Sequence, residues 1–206
     1  MDYKPATSEN SHHSDEKGLK ATAAALHLLR LVSPSQPVGG FSYSRGLEWA
    51  VHSGIISDEE SCSSWVIGIL DQCYAALDGA LFWRMMLALK RSDIQEFTRL
   101  NQWLAASRES KELELEDRRM AASLLSLLDD LGIPTISGEL PRSPSTYPGA
   151  FAQAAAHWEI PPFDALYGLM WSVVESQITA AIRLVPLGHT AGQRILIESV
   201  EHIERA

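Results

Sequence analysis

The sequence predicts an all-α protein, a single-domain helical bundle of about eight to ten helices, and three observations carry that expectation. Apolar residues recur at helical spacing, as in Ala23, Leu26, Leu29 and Val32, or in Leu166, Met170, Val174, Ile178 and Ile182. No run alternates apolar and polar residues with the period of two that marks a half-buried strand. With 206 residues, 46% of them hydrophobic, the chain can bury one sizeable core and not comfortably two.

The elements follow in order. Residues 1–17 are rich in Ser, Asn, Asp, Glu and His with almost nothing to bury, which reads as a disordered leader before an all-helical body over 18–206. The first helical pattern begins near Lys20 and stops at Ser33-Pro34. A short amphipathic helix carrying Leu47, Ala50 and Val51 ends at Gly54. Ser57 and Glu60 are spaced as a capping box for a helix through Trp65, Ile69 and Cys73, and the pattern continues from Gly79 to Lys90. Asp93 can cap the next helix, with Ile94, Phe97, Leu100 and Leu104. From Lys111 to Asp130 a helix pairs Glu114 with Arg118 on its surface before Gly132 and Pro134 stop it. Residues 133–148 hold Gly, Ser and prolines without periodicity, the signature of a loop. Phe151 to His157 reads as a short helix, Pro161-Pro162 opens a long one, and Thr190 opens the last.

Composition excludes several function classes. A formal net charge of −9 argues against a phosphate-backbone partner, so neither DNA nor RNA is expected. The longest apolar stretch, Leu166 to Val185, carries Glu175, Gln177 and Arg183, which are costly in lipid, so it reads as a core helix and no membrane partner is expected. Cys62 and Cys73 lie eleven residues apart on one predicted helix, about 16 Å by the helical rise, and cannot bridge each other. With no signal peptide pattern at the N-terminus, the expectation is a reduced, cytoplasmic protein. The seven histidines include no pair at the spacing that points two imidazoles at one metal, so neither a metal nor a cofactor is expected. His12 and His13 are adjacent in the polar leader, which is ordinarily no site.

The segment Pro34-Ser-Gln-Pro-Val-Gly-Gly-Phe-Ser-Tyr-Ser-Arg-Gly-Leu-Glu48 is a glycine-hinged turn feeding a helix. Pro37 pushes Gln36 out of the helical region, while Gly39 and Gly40 permit a tight reversal before Ser42 or Ser44 caps the helix. A phosphate loop needs Gly-Lys followed by Ser or Thr, and no glycine here precedes Lys. A hydrolase elbow needs Gly-x-Ser-x-Gly, and Gly40-Phe-Ser-Tyr-Ser44 lacks the last glycine. The segment therefore points to contact and not to chemistry, and the chain is not expected to be an enzyme.

This stretch resembles the N-terminal hallmark of the urease accessory protein F family, UreF. The matching residues are Leu28-Leu-Arg-Leu31, Pro37-Val-Gly-Gly-Phe-Ser42 and Gly46-Leu-Glu-Trp-Ala50. A second block resembles the family near the C-terminus, Trp171-Ser-Val-Val-Glu-Ser-Gln177, Arg183-Leu-Val-Pro-Leu-Gly188 and Thr190-Ala-Gly-Gln193. A third, Ser107-Arg-Glu-Ser-Lys-Glu-Leu113, is similar to a mid-chain run of the family. The departures are Ala121-Ala122 and Trp158 where glycine is common, Arg183 where Lys is common, and His189 where Gln is typical. Members also carry a tail with an Arg-His-Glu-like run, which the chain lacks at Ala206.

The resemblance implies a urease maturation factor: a helical scaffold linking the nickel-delivering accessory GTPase to the urease-bound accessory subunit, and through it to the urease apoprotein, with the chain itself a homodimer. The absent tail implies a weakened contact with the urease-bound subunit. Polar residues inside the matched blocks, Tyr43, Glu48, Arg108, Glu109, Glu175, Arg183 and Gln193, are the expected partner interface. Glu175 and Gln177 in an apolar helix suit either a register-fixing polar network or the lining of a polar channel or partner patch. An alternative is a GTPase-activating or GTPase-regulating protein acting through Arg108 or Arg183, since a held guanidinium stabilises phosphoryl-transfer charge.

Overall fold

The computed structural model describes residues 9–39, 45–136 and 146–205, with side chains from Gly18 onward. Within them the chain is helical throughout, without a strand: α1 (Glu9–Leu31), α2 (Leu47–His52), α3 (Glu59–Ile69), a π-helical segment (Leu70–Gly79), α4 (Ala80–Lys90), α5 (Ile94–Ala106), α6 (Lys111–Asp130), α7 (Tyr147–His157), α8 (Pro162–Leu184) and α9 (His189–Arg205). The all-α bundle expected from periodicity is the observed fold. Helix α1 starts at Glu9, inside the span that composition assigns to a leader.

Helix ends follow local chemistry, with two differences from the sequence reading. The cap of α3 is Asp58, not Ser57. Asp58 Oδ1 accepts from the Ser61 amide at 2.9 Å, and the Asp58 amide donates to Ser61 Oγ at 3.2 Å. An extended Asp58 brings its carboxylate to the third helical amide, and the short Ser61 hydroxyl closes the box that Glu60 was expected to close. Helix α7 begins at Tyr147, inside the predicted loop, because Thr146 caps it and Pro148 sits in the first turn, where a missing N–H costs nothing. Asp93 caps α5 through the Glu96 amide at 3.0 Å, as expected.

The middle of the bundle is α8, which packs against α1, α2, α3, the π-helical segment, α4, α7 and α9. Small residues set the closest approaches. A Cβ on Gly168 would meet Leu28 Cδ1 of α1 at 2.5 Å, and one on Gly192 would meet Ile182 Cδ1 at 2.8 Å, so these glycines let α1 and α9 lie on α8. Phe82, Met85, Leu100, Leu104, Leu124 and Phe151 fill the opposite half of the core, all essentially without solvent contact. Trp158 is used by α1: His27 stacks on its ring at 4.9 Å and the Arg30 guanidinium lies 4.1 Å above it.

Helices α3 and α4 and the π-helical segment form one continuous helix, Glu59–Lys90, of 32 residues and window mean hydropathy 1.2, long and apolar enough by length and composition to cross a membrane. Sequence reading pointed to α8 as the longest apolar stretch. Both pack on other helices of the bundle, and Glu59–Lys90 carries an ion-paired Asp78 in its interior. Asp78 lies at the end of the π-helical segment, whose turns are wider than α turns, and pairs there with Arg108.

Candidate functional site

Two of the matched sequence blocks meet over the π-helical segment. Arg45 and Gly46 both lie in the left-handed region, with φ of 47° and 85°, so the chain reverses sharply into α2. That reversal carries Arg45 to α6, where its Nε donates to Glu116 Oε1 at 2.8 Å, and its guanidinium lies 5.0 Å from the Tyr74 ring centre.

From the other side, Arg108 enters between the π-helical segment and α6. Its Nη1 donates to Asp78 Oδ2 at 3.0 Å, its Nη2 to Asp78 Oδ1 at 2.9 Å, and its Nε to Asp117 Oδ2 at 2.9 Å. The remaining Asp117 oxygen accepts the Tyr147 amide at 2.9 Å, tying the network to the start of α7. The Arg108 side chain is only 11% exposed. Expected at a partner surface, it is instead held inside, because two carboxylates from different helices satisfy the planar fork of its guanidinium.

Burial and pairing compete in this network. Burial pushes the Asp78 carboxyl above its ordinary value, and Arg108 offsets only part of that. Glu116 is raised for the same reason against the pull of Arg45. Burial disfavours the Arg108 charge, yet hydrogen bonds and charges from Asp78 and Asp117 outweigh it and raise its pKa. Desolvation pushes the Tyr147 phenol up to about 12. Such a network is costly to break from one side.

Arg45 is a wall shared by two cavities. One, of about 50 Å³, is lined by Gln36, Arg45, Tyr147, Ser172, Glu175 and Ser176. There Glu175 is half-buried, and its carboxyl is raised by burial against a hydrogen bond from Trp171. The other, of about 390 Å³, opens beside Cys73, Leu77, Glu109 and Leu113.

The remaining expected interface residues spread over the surface. Glu48 on α2, Glu109 before α6, Arg183 at the end of α8 and Gln193 on α9 are exposed, and Tyr43 lies outside the described residues. Gln177 is buried in α8. Sequence reading did not single out Arg45, Asp78, Glu116 or Asp117. The available signal was Asp78, a carboxylate in the otherwise apolar run from Ala75 to Trp83, which requires a partner.

A separate face is apolar. Helices α1, α8 and α9 border a groove of about 600 Å³ lined by Ala25, Leu29, Tyr167, Trp171, Val200 and Ile203 among others. Leu29 on α1 is 65% exposed and Ile197 on α9 is 71% exposed, on helices whose other sides are packed. Among the described residues, no group of three or more His, Cys, Asp or Glu could hold a metal ion.

The fold and site define an all-helical protein with a locked internal charge network and an exposed apolar face. A family model described as UreF matches residues 56–200. The urease accessory protein UreF 2 of Brucella anthropi is 67% identical over 181 residues, which cover 88% of this chain and 80% of that protein. The urease accessory proteins UreF of Alkalilimnicola ehrlichii and Hahella chejuensis are 38% and 39% identical, with 89% and 84% of this chain and 80% and 78% of those proteins covered. The chain belongs to the UreF family of urease accessory proteins.

Proposed function

We propose that the chain is a urease maturation factor and that it acts as a scaffold, holding the nickel-delivering accessory GTPase and the urease-bound accessory subunit together while nickel enters the urease apoprotein. The chain is not itself the catalyst in this reading, and it works in the cytoplasm as a homodimer. The observation that carries the proposal is the apolar face of α1, α8 and α9: Leu29 and Val200, 65% and 41% exposed, line a groove large enough to take side chains of another helix, and Ile197 of α9 is exposed as well. The polar contacts proposed, at other places on the surface, are Glu48, Glu109, Glu175, Arg183 and Gln193.

The test is light scattering on eluting complexes, with the chain alone and mixed with both accessory partners. A dimer and a defined larger complex are expected. A monomer that ignores both partners would overturn the reading.

The alternative, regulation of the accessory GTPase by an arginine of this chain, now favours Arg183, which is exposed, over Arg108, which two carboxylates hold. Single-turnover GTP hydrolysis by the partner, with and without Arg183→Ala, separates the two readings.

A further inference from the structure

The open pocket beside the π-helical segment is built differently from the apolar face. Tyr74, Leu77 and Leu113 give it apolar walls, while its charged lining counts three carboxylates, Asp78, Glu109 and Asp117, against two guanidiniums, Arg45 and Arg108. The guanidiniums are already committed. Arg108 is held by Asp78 and Asp117, and Arg45 by Glu116 and the Tyr74 ring. Glu109 sits exposed at the rim, and among the described residues its carboxylate has neither an ion pair nor a hydrogen bond.

The consequence is an electrostatic excess that the pocket cannot correct from within. Turning Arg108 toward Glu109 would leave Asp78 and Asp117 buried and unpaired, a far larger loss than an exposed pair returns. An apolar cavity of about 390 Å³ below an uncompensated carboxylate complements a side chain with an aliphatic stem and a cationic head. A small inorganic cation would leave the apolar walls unused, and an anion would meet the excess negative charge.

We propose that this pocket receives one lysine or arginine side chain from a protein partner, its stem lying on Leu77 and Leu113 and its charged head meeting Glu109. The proposal rests on the scaffold reading, of which it would be one specific contact. The contact is one that charge would orient more than strengthen, because Glu109 is at the rim.

Cys73 provides the readout. It lines the pocket and is exposed, whereas Cys62 is buried, so the rate of thiol alkylation reports on occupancy of the pocket. The probes are the peptide acetyl-Leu-Arg-Leu-amide and its Gln counterpart, and separately the two purified accessory partners. The arginine peptide is expected to slow alkylation of Cys73 and the glutamine peptide not to. Glu109→Gln is expected to weaken the arginine effect by about two- to fivefold, the range of an exposed pair. In the assembled complex Cys73 is expected to be protected relative to the free chain, and that ratio of rates to be smaller for Glu109→Gln, each form being compared with its own free chain because the Glu109 charge itself raises the Cys73 thiol.

A complex that forms with Cys73 still reactive, together with equal behaviour of the two peptides, would overturn the pocket and leave the scaffold standing. Protection that Glu109→Gln does not change would also overturn it, since Cys73 would then be covered by an unrelated surface. Protection by the arginine peptide without any complex forming would support the pocket and remove the scaffold.

Discussion

Asp78 and Arg108, 30 residues apart in the chain, meet in a two-pronged ion pair inside the bundle, with Nη1 to Oδ2 at 3.0 Å and Nη2 to Oδ1 at 2.9 Å. The pair joins the π-helical segment to the start of α6, and Asp117 extends it to α7. Both blocks of sequence that resemble the family's N-terminal and mid-chain motifs deliver an arginine to this region.

Removing Arg108 strands two carboxylates in a desolvated site. Arg108→Ala is expected to destabilise the fold by about 3–5 kcal/mol, the usual consequence of breaking a buried pair from one side. Urea denaturation measures it as a lower midpoint, and a loss below about 1 kcal/mol would show that water reaches the site freely.

Gly149 is expected to tolerate no side chain. A Cβ there would collide with the Asn101 amide oxygen and press on Thr146 Oγ1 at 3.1 Å. Asn101 Oδ1 accepts from the Thr146 hydroxyl at 2.7 Å, and Thr146 Oγ1 in turn caps α7 through the Gly149 amide at 3.0 Å. Gly149→Ala therefore costs about 1–3 kcal/mol by overpacking and loses a cap as well, which thermal melting would register.

The half-buried Glu175 predicts a pH dependence. Its folded pKa is raised above the unfolded value of 4.5, so the native state binds the proton more tightly than the unfolded chain does. Stability from this group is present below the unfolded pKa and is lost as pH rises through the folded pKa. Glu175→Gln is expected to melt a few degrees higher than the parent at pH 7.5, with the difference shrinking as pH falls through the folded pKa. A difference that does not vary with pH would assign the effect to packing.

The apolar face predicts a separation of folding from association. Leu29→Glu and Ile197→Asp alter exposed positions, so each is expected to change stability by less than about 0.5 kcal/mol. Light scattering should nevertheless show the proposed dimer lost or weakened. Retained dimers in both variants would place the interface elsewhere.

The cap of α3 offers a local check. Asp58→Ala is expected to cost about 1 kcal/mol, and Ser57→Ala to cost little, because Asp58 and not Ser57 accepts the Ser61 amide.

Much of the helical layout was legible because it depends on neighbours in the chain. Periodic apolar residues, Asp93 before α5, and Gly132 with φ of 70° after α6 act within one or two turns of themselves. The start of α7 was misplaced because Pro148 reads as a loop residue unless Thr146 is known to cap, and that cap is fixed by Asn101, 45 residues away. Trp158 had no sequence-level reason until α1 brought His27 and Arg30 to its ring.

Local sequence, then, settled the helices, their polar and apolar sides, and the motifs that mark the family, since propensity, capping and periodicity are short-range. Packing alone decided which charges are spent and which remain. Arg108 and Glu109 are adjacent in the chain and each carries one full charge, of opposite sign, yet one is buried between Asp78 and Asp117 and the other is left at a rim. That division arises because ion pairing is a matter of distance and desolvation, and the partners are brought together only when the π-helical segment, α6 and the turn at Arg45 pack on one another.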